Sequence, residues 1–452
     1  MFEPLYTAEE MRRAEEGHDV AQLMDRAGKA VADHILADYP GAQRITIVCG
    51  GGNNGGDGRV AGQYLEQARL EVRIVDAKAA ETDLGSHEVL VDALFGTGFS
   101  GEPRPDAARL IEGMNASDAV VVAVDLPSGV DASTGEVAGA AVEATSTVTF
   151  HGAKVGHYVG PGTFLHGFCV EVVDIGLDVL DTQAHRVAGT DILQLVPRRS
   201  PRDNKYSAGA LLVVGGSSGM SGAAALAARA AFRADAGYVT IAAPAESIPV
   251  LETLVLEAVK RPLDDVFDAA TRAGALAIGP GLGRGDEQTA LVRRLLEETD
   301  LPAVVDADAL FGLEPFSRST HAPTVLTPHS GELARLLGTE SAWVDAHRLA
   351  ALDRAVEKFD CVVLLKGNDT LIGAPGQGPL VSGGWPALAT AGTGDVLTGI
   401  IGAFLAKGVG ARLAAAAGAT AHAHAAIAVE HPDGLVASDV VEALPGVLHA
   451  SL

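Results

Sequence analysis

The run Thr390-Ala391-Gly392-Thr393-Gly394-Asp395 leads directly into the apolar stretch Val396-Leu397-Thr398-Gly399-Ile400-Ile401. Two glycines and a threonine before an apolar run predict a helix start, with Asp395 on its first turn. The free N–H groups of such a terminus bind phosphate, and glycine lets the backbone come close to it. A carboxylate there is a poor phosphate ligand but a good base for a hydroxyl about to receive the phosphoryl group. Alternatively, Asp395 only complements the helix dipole. A second chemical stretch is Cys49-Gly50-Gly51-Gly52-Asn53-Asn54-Gly55-Gly56-Asp57-Gly58. Adjacent asparagines tolerate left-handed backbone and add carbonyl oxygens. With Asp92, Asp125 and Ser128 they could supply an oxygen-rich site for a hard monovalent or divalent cation; a tight turn with Asx bonding is the alternative. Gly50, Gly52 and Gly55 also satisfy GxGxxG, with Asp76 near the ribose-acid distance, but a glycine run meets that pattern by chance.

Both stretches need a scaffold. Residues 8–39 have helical spacing, with Met11, Val20, Leu23, Met24, Ala27, Val31 and Ile35 on one face. Strands are expected at 44–49, 72–75, 88–94 and 119–125, with a helix at 59–67. A second alternating series starts near Gly209: strands at 210–214, 239–242, 275–278, 303–305, 324–326 and 361–365, with an Ala-rich helix running to Ala236. Near-continuous apolar strands separated by helices imply α/β architecture with parallel sheets covered on both faces. Ligands of such sheets lie beyond the carboxyl ends of the strands. There the first half carries the Gly/Asn loop, Asp92 with Gly96-Thr97-Gly98, and Asp125-Leu126-Pro127-Ser128-Gly129. The second half carries Gly279 to Gly283, Asp306 and Asp308, His329 to Glu332, and Lys366 to Thr370. The polar, aperiodic segment 183–190 marks a boundary between domains 1–185 and 186–452. The one basic cluster, 198–205, either faces a phosphate or forms a solvated loop.

The chain has 452 residues and a net charge of −25, which disfavours nucleic acid and anionic membrane as partners. Only 4% of residues are aromatic, so Ala, Val and Leu must build the core. Cys49, Cys169 and Cys361 lack pairing or metal spacing and read as buried thiols in a reducing compartment. The N-terminal stretch has no signal- or transit-peptide pattern, and the Ala-rich segment 413–429 reads as a buried helix. A cytoplasmic location is expected.

The motif around Asn53-Asn54, together with Val91-Asp92-Ala93-Leu94-Phe95-Gly96-Thr97-Gly98 and Val124-Asp125-Leu126-Pro127-Ser128-Gly129-Val130, resembles the NAD(P)H-hydrate epimerase family. The resemblance covers about residues 10–177 and implies a Rossmann-like parallel-sheet domain. It implies that Asn53, Asn54, Gly55, Gly56, Asp57, Gly96, Thr97, Gly98, Phe99, Ser100, Gly101, Glu102 and Asp125 contact the hydrated nucleotide. Asn54, Asp92 and Ser128 would hold a potassium ion. Lys154 lies in a family-like segment without an assigned role, and His151, His157 and His166 read as structural.

The second half resembles the ribokinase-like superfamily, and more narrowly its ADP/ATP-dependent NAD(P)H-hydrate dehydratase branch, over about residues 205–434. By that resemblance Ala223, Gly283, His329 and Asp395 meet the hydrated nucleotide. Lys366, Gly367, Asn368, Asp369, Thr370 and Gly394 hold the phosphate donor, ADP or ATP, with Mg2+. Asp395 is the base on the hydroxyl that is phosphorylated and then eliminated. Asn204 replaces a family His before Lys205, and Trp385 replaces a typical Asn. Glu332 is either a helix-start carboxylate or linked to magnesium. Asp306 and Asp308 are expected to shape their loop rather than ligate metal. His422 and His424, two apart on a helix, do not share a face and read as core or surface residues. The implied function is repair of hydrated NADH and NADPH by epimerisation and nucleotide-driven dehydration, in a homo-oligomer. Its rivals are an ordinary small-molecule kinase for the second half, a non-catalytic nucleotide-binding module for the first, and, more distantly, a dehydrogenase.

Overall fold

A computed structural model describes residues 2–77, 83–179, 181–318 and 322–450. Two compact bodies divide the chain. One holds Pro4–His185 with Asp345–Arg348; the other holds Phe2, Glu3, Arg186–Val344 and the residues from Leu349 onward.

The strands in chain order are β1 (Phe2–Leu5), β2 (Arg44–Cys49), β3 (Glu71–Asp76), β4 (Val89–Ala93), β5 (Val120–Val124), β6 (Ser146–Phe150) and β7 (Val170–Val173). They continue with β8 (Ala184–Val187), β9 (Ala210–Val214), β10 (Tyr238–Ala243), β11 (Val259–Pro262), β12 (Ala275–Ile278) and β13 (Ala303–Val305). The last are β14 (Thr324–Leu326), β15 (Val362–Leu365), β16 (Asp369–Ala374) and β17 (Gln377–Gly383).

In the first body six strands pair in parallel in the order β3-β2-β4-β5-β6-β7. Every residue of β4 and β6 is buried, which accounts for their largely apolar sequences, interrupted by Asp92 in β4 and by Ser and Thr in β6. The expected helix over 8–39 is two helices, Ala8–Glu15 and Val20–Asp38. Thr7 and Glu10 close a capping box on the first, Gly17 breaks the backbone at φ +85°, and Asp19 caps the second. Val20 is consequently exposed at the second helix's first turn, not on the shared apolar face. The helix expected at 59–67 starts earlier, at Asn53, so the Gly/Asn segment is its first turn rather than a free loop. Gly55 permits that start: a Cβ there would stand 2.0 Å from the Gly50 carbonyl oxygen.

The second body has an 11-stranded sheet, ordered β1-β8-β17-β16-β15-β14-β13-β12-β9-β10-β11. Strands β9 to β15 pair in parallel along this order, as does edge strand β11, while β15, β16 and β17 form an antiparallel meander. The strands β16 and β17 were not expected from the sequence, because Gly373, Gly376 and Gly378 interrupt their apolar alternation. Helices Ser221–Arg233, Thr393–Ala406 and Ala411–Ile427 contribute mostly buried Ala, Val, Leu and Ile to the main core. Small side chains let helices approach closely, which is how a core forms with so few aromatics. Cys49 and Cys361 are buried, and burial pushes their thiols up to about 11 and about 12. Cys169 is exposed, contrary to expectation, because it precedes the edge strand β7. Among the described residues no helix is long and apolar enough to cross a membrane.

Candidate active sites

In the first body the carboxyl ends of β2, β4 and β5 open on a cavity of about 950 Å³. Its lining includes Asn53, Asn54, Asp57, Gly96, Thr97, Gly98, Phe99, Ser100 and Asp125. Of the expected contacts, Gly55, Gly56, Gly101 and Glu102 are not lining residues. Gly55 and Gly56 instead face the Gly50 backbone and the Met24 side chain. Phe95 and Phe99 stack at 4.6 Å between ring centroids, giving the cavity an aromatic wall. The Ala8–Glu15 helix adds Glu9, Arg12 and Glu15, which no sequence motif singles out. Met11 and Glu15 are four apart and share a helical face, but a lone carboxylate beside an apolar position reads first as surface.

Beside this cavity lies a closed oxygen network. Asp92, fully buried at the end of β4, accepts from the Ser128 amide (2.7 Å), the Ser128 hydroxyl (2.6 Å) and the Leu94 amide (3.2 Å). Ser128 Oγ in turn accepts from the Phe95 amide at 2.8 Å, and Asn54 Nδ2 donates to the Phe95 carbonyl at 2.9 Å. Burial pushes the Asp92 carboxyl up to about 6, against the lowering by these hydrogen bonds. The donor set is one carboxylate plus neutral carbonyl and hydroxyl oxygens. That composition fits a weakly charged hard cation such as potassium.

Asp125 follows β5 at φ +67°, a left-handed conformation rare for a residue with a side chain. Its Oδ2 accepts from the Thr97 amide at 3.1 Å. Its Oδ1 accepts from Thr149 Oγ1 at 3.0 Å and pairs with Lys154 Nζ at 2.6 Å. Lys154 is fully buried and also donates to Thr149 Oγ1 (2.8 Å) and the Phe150 carbonyl (3.0 Å). Burial alone would raise the Asp125 carboxyl, but Lys154 outweighs it and holds the group below its ordinary value. His157 accepts from the Lys154 amide through Nδ1, and its Nε2 lies 2.9 Å from the Asp125 carbonyl. Burial and Lys154 push its ring down to about 3, so it is neutral and structural. Asp57 lines the same cavity with no such cation. Burial, then Asp125 and Glu15, push its carboxyl up to about 8, with Lys154 acting the other way.

In the second body Asp395 stands in the first turn of the Thr393–Ala406 helix, behind Gly392 at φ +89°. Burial, then Asp306, push its carboxyl up to about 7, while Lys366 opposes the shift. Asp306, at the end of β13, is fixed from both sides: Oδ1 accepts from Lys366 Nζ at 2.8 Å and Oδ2 from Thr398 Oγ1 at 2.6 Å. Lys366 also approaches Glu332 at 3.7 Å, and a Cβ on Gly394 would stand 3.5 Å from its Nζ. Burial would lower the Lys366 ammonium, but Asp306 and Glu332 raise it above its ordinary value, so it remains a cation. Asp308 accepts from the Gly283 amide (3.0 Å) and Arg284 Nε (2.7 Å), which shapes the loop as expected. The neighbouring Gly281 lies against Ala223, bringing Ala223 and Gly283 together.

His329 caps the Ser330–Leu337 helix through Nδ1, and Glu332 returns a bond to the His329 amide at 2.9 Å. Asp369 and Thr370 are buried within β16, and Thr370 Oγ1 donates to the Gly367 carbonyl at 2.9 Å; Gly367 and Asn368 form the turn before it. His422 is buried, and burial pushes its ring down to about 4. Its Nε2 is buried without a hydrogen-bond partner among the described residues, while His424 is less buried. Among the described residues no three His, Cys, Asp or Glu side chains form a metal cluster. Among the described residues, Asp306 and Glu332 are engaged with Lys366, Thr398 and the His329 amide.

The family model described as NAD(P)H-hydrate dehydratase matches residues 211–445. The one described as YjeF-related protein N-terminus matches 20–88 and 75–156. A bifunctional NAD(P)H-hydrate repair enzyme from Moorella thermoacetica is 37% identical, across 94% of this chain and 92% of that one. The chain belongs to the bifunctional NAD(P)H-hydrate repair enzyme family. The crystal structure of an ADP/ATP-dependent NAD(P)H-hydrate dehydratase from Bacillus subtilis, co-crystallised with ATP and Mg2+, is 30% identical with a TM-score of 0.54. That match covers 58% of this chain and 96% of the other. A ribokinase-like superfamily protein from Enterococcus faecalis, 21% identical with a TM-score of 0.54, covers 61% of this chain and 98% of its own and shares the fold.

Proposed function

We propose that this chain repairs hydrated NADH and NADPH in two steps at two sites. The cavity of the first body interconverts the epimers of the hydrate. The Asp395 site of the second dehydrates one epimer at the expense of ADP or ATP. The observation that carries the second step is the Asp395 carboxyl, raised and without an ion pair among the described residues, beside a phosphate-ready helix start and the Lys366 cation. Gly394, Lys366, Gly367 and Asn368 hold the phosphate donor, with Mg2+ carried chiefly by the phosphates themselves. Asp395 takes the proton of the substrate hydroxyl as it is phosphorylated, and elimination of phosphate follows. Lys366, kept charged by Asp306 and Glu332, offsets the charge that develops on the phosphoryl oxygens. Ala223, Gly283 and the exposed edge of His329 contact the hydrate. In the first body Asn54, Asp92 and Ser128, with the Phe95 carbonyl, hold potassium, which organises the loops that carry Gly96 and Thr97. A cytoplasmic setting suits a chain whose substrates are nicotinamide nucleotides.

An ordinary kinase of the same fold is the reading to exclude. With one purified epimer and ADP or ATP, the products are reduced nicotinamide nucleotide and free phosphate in equal amounts. A stable phosphorylated hydrate, without recovery of reduced nicotinamide, would make the second body a kinase.

A further inference from the structure

Of the carboxylates that line the cavity of the first body, Asp57 and Asp125 are treated by the fold in opposite ways. Asp125 is bonded to Lys154, Thr149 and the Thr97 amide. Asp57, in the second turn of the Asn53–Gln67 helix, takes no hydrogen bond or ion pair among the described residues. The charged groups around it are Asp125 from the β5 loop, Glu15 from the Ala8–Glu15 helix, and Lys154, already committed to Asp125. Arg12 and Glu9 line the same cavity. Resting on the epimerase reading of this cavity, we propose that Asp57 is a catalytic acid–base residue of epimerisation and that Asp125, locked by Lys154, is the permanent anion opposite it.

The substrate carries a hydroxyl on a carbon bonded to the ring nitrogen. Asp57 gives its proton to that hydroxyl, and the C–O bond breaks with its electron pair leaving on water. The nitrogen lone pair forms a C=N+ bond, and the ionised Asp125 stabilises the positive charge. Water adds to the other face, the C–O bond re-forms, and the C=N pair returns to nitrogen. The extra proton of the added water returns to Asp57 through solvent in the cavity. Proton, water and charge all balance, and no redox partner is needed. Environments that drive two carboxylates apart in this way assign the acid and the anion. Burial and the Asp125 and Glu15 charges hold the Asp57 proton to about pH 8, where it is available at neutral pH.

The test uses the full chain, a hydrated NADH epimer mixture, and no added nucleotide, with epimer exchange followed by NMR. Asp57→Asn keeps size and hydrogen-bonding capacity. Exchange should fall about 10²–10⁴-fold, while dehydration of the competent epimer, measured separately with ADP or ATP added, stays intact. Wild-type exchange should decline as pH rises through about 8, because the acid form is lost. Glu15→Gln removes a neighbouring negative charge and should move that decline to lower pH, which a merely structural role would not do. Exchange by Asp57→Asn within about threefold of wild type would overturn the proposal, and so would a loss explained wholly by weakened binding. If the wild type itself gives no exchange above the uncatalysed rate, the epimerase reading fails instead.

Discussion

At the residue scale, Asp395 and Asp57 are half-buried carboxyls that desolvation shifts towards neutral pH, the property on which both proposed roles depend. In the role proposed for Asp395, dehydration requires the ionised form. Its carboxyl is pushed up to about 7, so the rate should rise as pH increases through that value and then level. Asp395→Asn should lower turnover about 10²–10⁴-fold, flatten that rise, and leave ADP or ATP binding unchanged. Unchanged turnover, measured by phosphate release, would reduce Asp395 to a helix-start carboxylate. Asp395 was legible in the sequence because its helix and loop are contiguous with it. Lys154 and Thr398 were not. Lys154 acts through Asp125, and Thr398 through Asp306, 92 residues away in sequence. His329 was legible as polar and near a strand end, but its capping of the Ser330–Leu337 helix depends on backbone geometry that no motif encodes.

Elements converge where β2, β4 and β5 end, and the Asp92 network ties those ends together across the sheet. A cation bridging the same oxygens should therefore act on loop order. Exchanging potassium for lithium, or Asp92→Ala, should slow epimer exchange and leave dehydration of the competent epimer untouched. Epimerisation rates indifferent to the choice of monovalent salt would remove the cation from the account. Most strands were legible from their apolar runs, since strands buried on both faces need no alternation. The β16–β17 hairpin was missed because glycines interrupt it. The start of the Asn53–Gln67 helix was placed late because four glycines in Gly52 to Gly58 lower helix propensity, while packing against β2 overrides that cost.

On the scale of the whole molecule, each candidate site is assembled from the residues of one body: Glu9 to Lys154 in the first, Ala223 to Thr398 in the second. The domain boundary proposed from sequence at 185/186 stays a proposal for function. Phe2 and Glu3 belong with the second body, and Asp345–Arg348 with the first, details carried by no local composition. Two sites on one chain, as proposed, would let the molecule consume an epimeric mixture entirely rather than in part. The direct measurement gives full-length protein a mixture of both hydrate epimers with excess ADP or ATP and follows reduced-nicotinamide absorbance to completion. Controls without enzyme establish how slowly the epimers exchange unaided. The account expects full recovery, with one phosphate released per hydrate repaired and both epimers exhausted faster than the unaided exchange allows. Recovery that stops when the competent epimer is spent, or nucleotide consumption without recovery of reduced nicotinamide, would contradict it.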